Sequence, residues 1–195
     1  MSAQWDSLSG KDALNFREEG NLADYIPSTP GIYCWKLNPY KKVLLPSDYD
    51  SILSQINHLM ALPQFETGSA RINHSLISRG FLHRGEPLSG DKSVKLREWL
   101  KDSENAKWMI AFLKELKDYM PNLYVGKADN LAKRIGQHLA GSSKFGQKIN
   151  DSSELTWQDL SVSWCQIPGA DSQLLEAVEL VTTVVSLSGF VEKAG

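Results

Sequence analysis

Apolar residues recur with two different periods along this chain, and the periods mark out its elements. Period two is clearest over Gly31–Leu37, where Tyr33, Trp35 and Leu37 alternate with Ile32 and Cys34. Pro27 and Pro30 break any helix just before it, so the stretch reads as a strand. The same period over Leu160–Ile167 predicts another strand. Between them, Leu123 and Val125 flank Tyr124 in a short strand that leaves through Gly126, with Tyr124 on the face opposite its neighbours. Helical spacing covers Ile52–Leu62, closed by Pro63, and residues 94–119, in one piece or broken near Asp102–Ser103. In the second of these Leu96, Trp99, Leu100, Trp108, Phe112, Leu113 and Leu116 form apolar faces, with the tryptophans expected in the core. Leu131, Ile135 and Leu139 give another helix its buried stripe. A last helix, capped by Asp171 or Ser172, has Leu174, Val178, Val181 and Val185. Residues 1–24 read as a polar lead-in with a short helix around Asp12–Glu19. Gln64–Ser93 reads as irregular, and a loop follows Gly141.

Most of the candidate chemistry gathers at one strand–helix corner. Asp129 or Asn130 can cap the helix after Gly126. Asn130, Arg134 and His138 then recur every four residues beside the apolar stripe, in steps of about 6 Å. With Tyr124 and Lys127, a tyrosine, a lysine, an arginine and a histidine meet at one place, which suits phosphate chemistry. Taken locally, Tyr33 is a core tyrosine and Glu176 a solvated helix residue.

Composition changes this picture only through its distribution. At 195 residues, 42% hydrophobic and 23% charged, the chain can bury one sizeable core, and its net charge of -2 gives no global sign of nucleic acid. Locally, however, Arg71, Arg79, Arg84, Lys92, Lys95 and Arg97 face only Glu86 and Asp91, a net +4 over residues 71–97. Lys127, Lys133, Arg134, Lys144 and Lys148 against Asp129 give a second +4 over 126–148. Two such segments can form a phosphate-binding surface. Cys34 and Cys165 are the sole cysteines, and neither they nor His74 and His83 have metal-site spacing. A reduced, cytoplasmic protein without a signal peptide or membrane partner is the expectation.

Pro27-x-x-Pro30-Gly31-Ile32-Tyr33, followed by Tyr124-Val125-Gly126-Lys127-Ala128-x-Asn130-Leu131-x-x-Arg134-x-x-x-His138, resembles the GIY-YIG nuclease superfamily. Glu176, on a helix after a third strand, completes the pattern, and the resemblance covers residues 31–37 and 122–187. It implies an α+β fold, a small three-stranded antiparallel sheet flanked by helices, in a single domain over 1–195. Tyr33 and Tyr124 are 91 positions apart, so residues 38–121 would be a mainly helical insertion between the first two core strands. The usual proline and asparagine after the glutamate helix are missing from 186–195, and Glu179 lies three residues beyond Glu176.

The resemblance also implies metal-dependent hydrolysis of phosphodiester bonds in DNA, as in stand-alone restriction or phage-defence endonucleases. Tyr33 would be the general base, with Tyr124 beside it. Lys127 and Arg134 would bind the phosphate, His138 would assist by hydrogen bonding or proton transfer, and Glu176 would hold one Mg²⁺ (or Mn²⁺). Double-stranded DNA would be the partner, contacted by Lys133 and, from the insertion, Arg79 and Arg84; a homodimer is one source of specificity. The alternatives are a catalytically silent nucleic-acid-binding module with the same fold, and a structural or protein-interaction domain. The chemistry fits the enzyme: cations and a metal offset charge on the phosphate oxygens. A tyrosine base needs its ordinary pKa of about 10 lowered, which a neighbouring cation favours.

Overall fold

An α+β arrangement follows from the order of the elements. Strand β1 (Trp5–Ser9) runs into α1 (Gly10–Glu18) and the short α2 (Leu22–Tyr25), and β2 (Gly31–Leu37) comes next. After it come α3 (Tyr49–Ala61), β3 (Pro63–Thr67), β4 (Gly80–Arg84), α4 (Gly90–Leu100) and α5 (Ser103–Tyr119). Strand β5 (Asn122–Ala128) leads into α6 (Leu131–Leu139) and α7 (Lys144–Asn150). A 3-10 turn (Trp157–Asp159), β6 (Leu160–Gln166) and α8 (Ser172–Ser188) complete the chain. The structure is a computed structural model that describes residues 4–40, 44–61, 63–67, 80–84, 88–120, 122–153 and 155–188. The chain divides into two compact units, Met1–Lys41 with Glu115–Gly195, and Lys42–Lys114.

The first unit holds a four-stranded sheet in the order β1-β6-β2-β5, antiparallel throughout. Three of these strands are the ones read from the sequence. The fourth, β1, corrects the three-stranded expectation: Trp5–Ser9 is a half-exposed edge strand with too few apolar positions to show a period. Ser9 ends it and caps α1, accepting from Asp12 N at 3.0 Å.

Central strand β2 is covered on both faces, and Ile32, Tyr33 and Trp35 are fully buried. Tyr33 stands opposite Gly126 on β5 and Trp164 on β6, and Trp35 stands opposite Tyr124 and Val162. Alternation therefore puts Tyr33, Trp35 and Tyr124 on one face, and Ile32, Cys34 and Lys127 on the other. Cys34 and Cys165 are free and buried.

The proline lead-in fastens α6 to this sheet. Carbonyls of Thr29 and Pro27 accept from Leu131 N (3.1 Å) and Ala132 N (3.2 Å), and the Asn130 side chain accepts from Lys133 N (2.8 Å). The first-turn donors that a helix ordinarily leaves open are thereby used inside the fold. At the other end, Gly141 (φ 70) turns the chain: its N–H donates to His138 O, and Ser142 N–H donates to Gln137 O. This left-handed cap needs glycine.

Four further expectations are corrected. The segment after Gly141 is the helix α7, too short for its period to stand out. Within Gln64–Ser93, β3 and β4 form an antiparallel pair and α4 begins at Gly90; residues 68–79, with His74 and Arg79, lie outside the described residues. Arg84 closes β4, opposite Pro63. Trp99 (40%) and Trp108 (57%) are exposed and meet edge to face, with Phe112 stacked on Trp108, while Leu100, Ala106, Ile110 and Leu113 are buried. On α8, Leu175 is buried while Leu174 and Val181 are exposed. In both places the period was readable and its phase was not, because apolar residues occur on more than one face of each helix.

In the second unit, α3 and α4 are tied by Arg97, whose Nε donates to Asp50 Oδ1 at 3.0 Å. Among the described residues, no helix is long and apolar enough to cross a membrane.

Candidate functional site

On the tyrosine-bearing face of the sheet, four of the expected residues converge. Tyr33 Oη lies 2.6 Å from His138 Nε2, and both residues are fully buried. Tyr124 packs against each, its ring centre 5.9 Å from that of Tyr33 and 5.2 Å from that of His138. Gly126 makes this possible: a Cβ there would come within 2.5 Å of Tyr33 Oη and 2.7 Å of Tyr124 Cε1. Arg134, one helical turn before His138, interacts with both tyrosine hydroxyls and donates to Gln137 Oε1 at 3.1 Å. Tyr124 and Arg134 are half-buried, so they form the accessible layer in front of Tyr33 and His138.

Aromatic rings wall the histidine. Phe145 of α7 stacks on Tyr124 (4.8 Å) and meets His138 edge-on (5.4 Å), and Trp35 lies edge-on to His138 from below (6.5 Å). Helix α7 approaches closely because residue 146 is glycine, where a Cβ would collide with the His138 carbonyl oxygen. The turn before α7 places Ser143 Oγ 2.5 Å from His138 Nδ1, and the same oxygen accepts from Gly146 N at 3.0 Å.

Burial sets the charge states. It raises the Tyr33 pKa strongly; Tyr124 adds to this, and Arg134 opposes it. Burial opposes the Arg134 charge, but the two tyrosine oxygens outweigh it and hold Arg134 above its ordinary value. Burial first, and then the Arg134 cation, lower His138 to about 4, so the imidazole is neutral near pH 7.

The histidine has a consequence for stability. The folded protein resists protonation at His138 while the unfolded chain accepts a proton near 6.5, so stability is complete above pH 6.5 and falls as the pH drops toward about 4. That interval corresponds to roughly 3 kcal/mol. Denaturant melts at pH 7 and pH 4.5 are expected to show this loss in the wild type and a much smaller one in His138→Gln.

The remaining expected residues lie elsewhere. Lys127 leaves β5 on the opposite face from Tyr124 and pairs with Glu176 of α8, Nζ to Oε2 at 3.2 Å. The cation that acts on Tyr33 is Arg134. Lys133 is exposed on α6, and Asn130 is occupied as the cap.

Glu176 bears on whether a metal fits. Its side chain is 74% exposed, and among the described residues no group of three His, Cys, Asp or Glu side chains could hold an ion. One carboxylate with water and phosphate oxygens is a sufficient shell for Mg²⁺, so this donor fits an ion bound together with a phosphate. It does not make a preformed cage.

Ser143, Phe145 and Trp35 were missed as site residues. A Ser-Ser pair following Gly141, with Ser143 three residues before Gly146, is the one signal that could have located the cap and hence Ser143. No protein-family model, no curated protein and no solved structure matches the chain. The chemistry of this cluster therefore rests on its own geometry.

Proposed function

We propose that this chain is a metal-dependent endonuclease that hydrolyses phosphodiester bonds of DNA. The observation that carries the reading is the convergence of Tyr33, Tyr124, Arg134 and His138 on one face of the sheet, with Tyr33 Oη and His138 Nε2 2.6 Å apart. Arg134, accessible and held cationic by the two tyrosines, binds the scissile phosphate and offsets the charge that grows on its oxygens. Tyr124, in the same layer, orients the phosphate through its hydroxyl. Tyr33 is the general base, its phenolate favoured by Arg134. His138, neutral, hydrogen-bonds the base. Glu176 pairs with Lys127 on the sheet's other face, apart from this cluster; it is the carboxylate that would hold Mg²⁺, and an ion there would supply Lewis-acid stabilisation of a phosphate oxygen. The basic segments at 71–97 and 126–148 support a polyanionic substrate of this kind.

Supercoiled plasmid tests the metal part of the proposal. Nicking is expected with Mg²⁺ and none with chelator, and Glu176→Ala is expected to lower the rate about 10²-fold or more. Its melting temperature should barely move, because an exposed ion pair contributes at most about 1 kcal/mol. Equal rates in wild type and variant would remove Glu176 as the ligand.

One observation favours a second reading, a nucleic-acid-binding module without turnover: Tyr33 is fully buried and its proton is held more tightly than in a free phenol. Such a module would bind DNA in a gel-shift assay and nick none of it.

A further inference from the structure

We propose that Ser143 is a positioning residue that fixes His138 in its Nε2–H tautomer, so that the imidazole donates to the Tyr33 oxygen instead of accepting the Tyr33 proton. The assignment comes from counting donors and acceptors in a buried chain of three side chains. Ser143 Oγ already accepts from Gly146 N at 3.0 Å, and its other contact is His138 Nδ1 at 2.5 Å. A hydroxyl has a single hydrogen, and within this cluster Nδ1 is the acceptor in its reach. The serine therefore donates to Nδ1. A neutral imidazole then carries its one hydrogen on Nε2, 2.6 Å from Tyr33 Oη, and that bond runs from the ring to the phenol.

The opposite arrangement leaves the Ser143 hydrogen unsatisfied. It would place Nδ1–H on Ser143 Oγ and the Tyr33 hydrogen on Nε2, with the serine hydrogen stranded at a residue that is 8% exposed. In the assigned arrangement the Tyr33 hydrogen can turn toward the Tyr124 hydroxyl, which interacts with it. The backbone holds the serine in place from both sides. The left-handed turn at Gly141 delivers it five residues after His138, and the close approach of Gly146 locks α7 onto the end of α6. The ionisable groups facing the imidazole are Tyr33 from β2, Tyr124 from β5 and Arg134 from its own helix; α7 presents the uncharged Phe145.

For catalysis, which rests on the nuclease reading, the consequence is specific. The His138 N–H and the Arg134 charge both act on the Tyr33 oxygen and favour its phenolate, while His138 is excluded as the group that removes the Tyr33 proton.

Nitrogen-15 NMR of the imidazole tests the assignment without any cleavage assay. A variant with His58, His74 and His83 replaced by Gln leaves His138 as the sole histidine. At pH 7.5 its Nε2 is expected to be protonated and its Nδ1 bare; a protonated Nδ1 overturns the proposal. Adding Ser143→Ala should bring in the Nδ1–H form and Ser143→Thr should restore Nε2–H, whereas an unchanged tautomer in Ser143→Ala removes serine as the cause. Should Ser143→Ala fail to fold, the single-histidine spectrum decides alone. In cleavage, Ser143→Ala is expected to be about tenfold slower at pH 7.5, with the pH profile displaced upward and Ser143→Thr recovering it. An Nε2–H tautomer in a protein that cleaves nothing would sink the nuclease reading and leave the positioning role standing.

Discussion

Arg134→Ala is expected to lower the rate of plasmid nicking by about 10²–10³-fold at saturating Mg²⁺. Arg134 is the cation of the tyrosine–histidine cluster, and it is half-buried, so its charge is poorly screened by water. Without it nothing in the cluster offsets the charge on the attacked phosphate, and Tyr33 loses the cation that opposes its raised pKa. Arg134→Lys should recover part of the rate, since it restores charge but not the planar fork. Some stability should be lost as well, because the change removes the interactions of Arg134 with the two tyrosine hydroxyls along with its bond to Gln137. A second readout separates this from general damage. His138 is held down to about 4 partly by Arg134, so its pKa should move up toward 6.5 in Arg134→Ala, as an NMR titration would show. A His138 pKa that stays put would mean that the guanidinium does not face the imidazole.

Gly126→Ala should be nearly as damaging to activity and worse for stability. The added carbon would sit 2.5 Å from Tyr33 Oη and 2.7 Å from both Tyr33 Cζ and Tyr124 Cε1. Tyr33 is fully buried between strands and cannot swing aside without disturbing His138, so an overpacking cost of about 1–3 kcal/mol is expected. Gly136→Ala is the matched control on α6. Its new carbon would meet only Leu22 Cδ2 at 3.6 Å, and alanine in a helix interior gains about 0.5–1 kcal/mol over glycine. Urea melts of the two variants should therefore shift in opposite directions. A neutral Gly126→Ala would show that Tyr33 does not lie across residue 126.

Much of the corner that holds these residues was legible because several signals agreed there. Period two marked β2 and β6, the four-residue stripe of Leu131, Ile135 and Leu139 marked α6, and Asn130 was a capping residue at the right offset. Tyr33, Arg134 and His138 lie on those elements and Tyr124 on β5; helical spacing put Arg134 and His138 on one face of α6, whereas the meeting of Tyr33 with the other three was implied by the family resemblance alone. Local spacing does not reveal what crosses between elements. The contact of Ser143 with His138 depends on a turn at Gly141 and on the space left by Gly146. Lys127 was placed beside the tyrosines by its nearness in sequence, yet period two sends it through the sheet to Glu176. Strand β1 was hidden for another reason: an edge strand with serines at two of five positions is held by its ladder to β6, which leaves no pattern in its own residues.

The burial of Tyr33 is where the enzymatic reading is most exposed to test. A buried phenol with a raised pKa can serve as a base only in the small fraction that is ionised, and that fraction grows tenfold with each pH unit below its pKa. The nicking rate of the wild type with Mg²⁺, compared with that of Tyr33→Phe at every step from pH 6 to pH 9, measures this directly. The wild type is expected to speed up across the range, and Tyr33→Phe to be slower by 10² or more with no such rise. Equal rates and parallel pH profiles for the two proteins would contradict Tyr33 as the base, and with it the central chemistry assigned to this site.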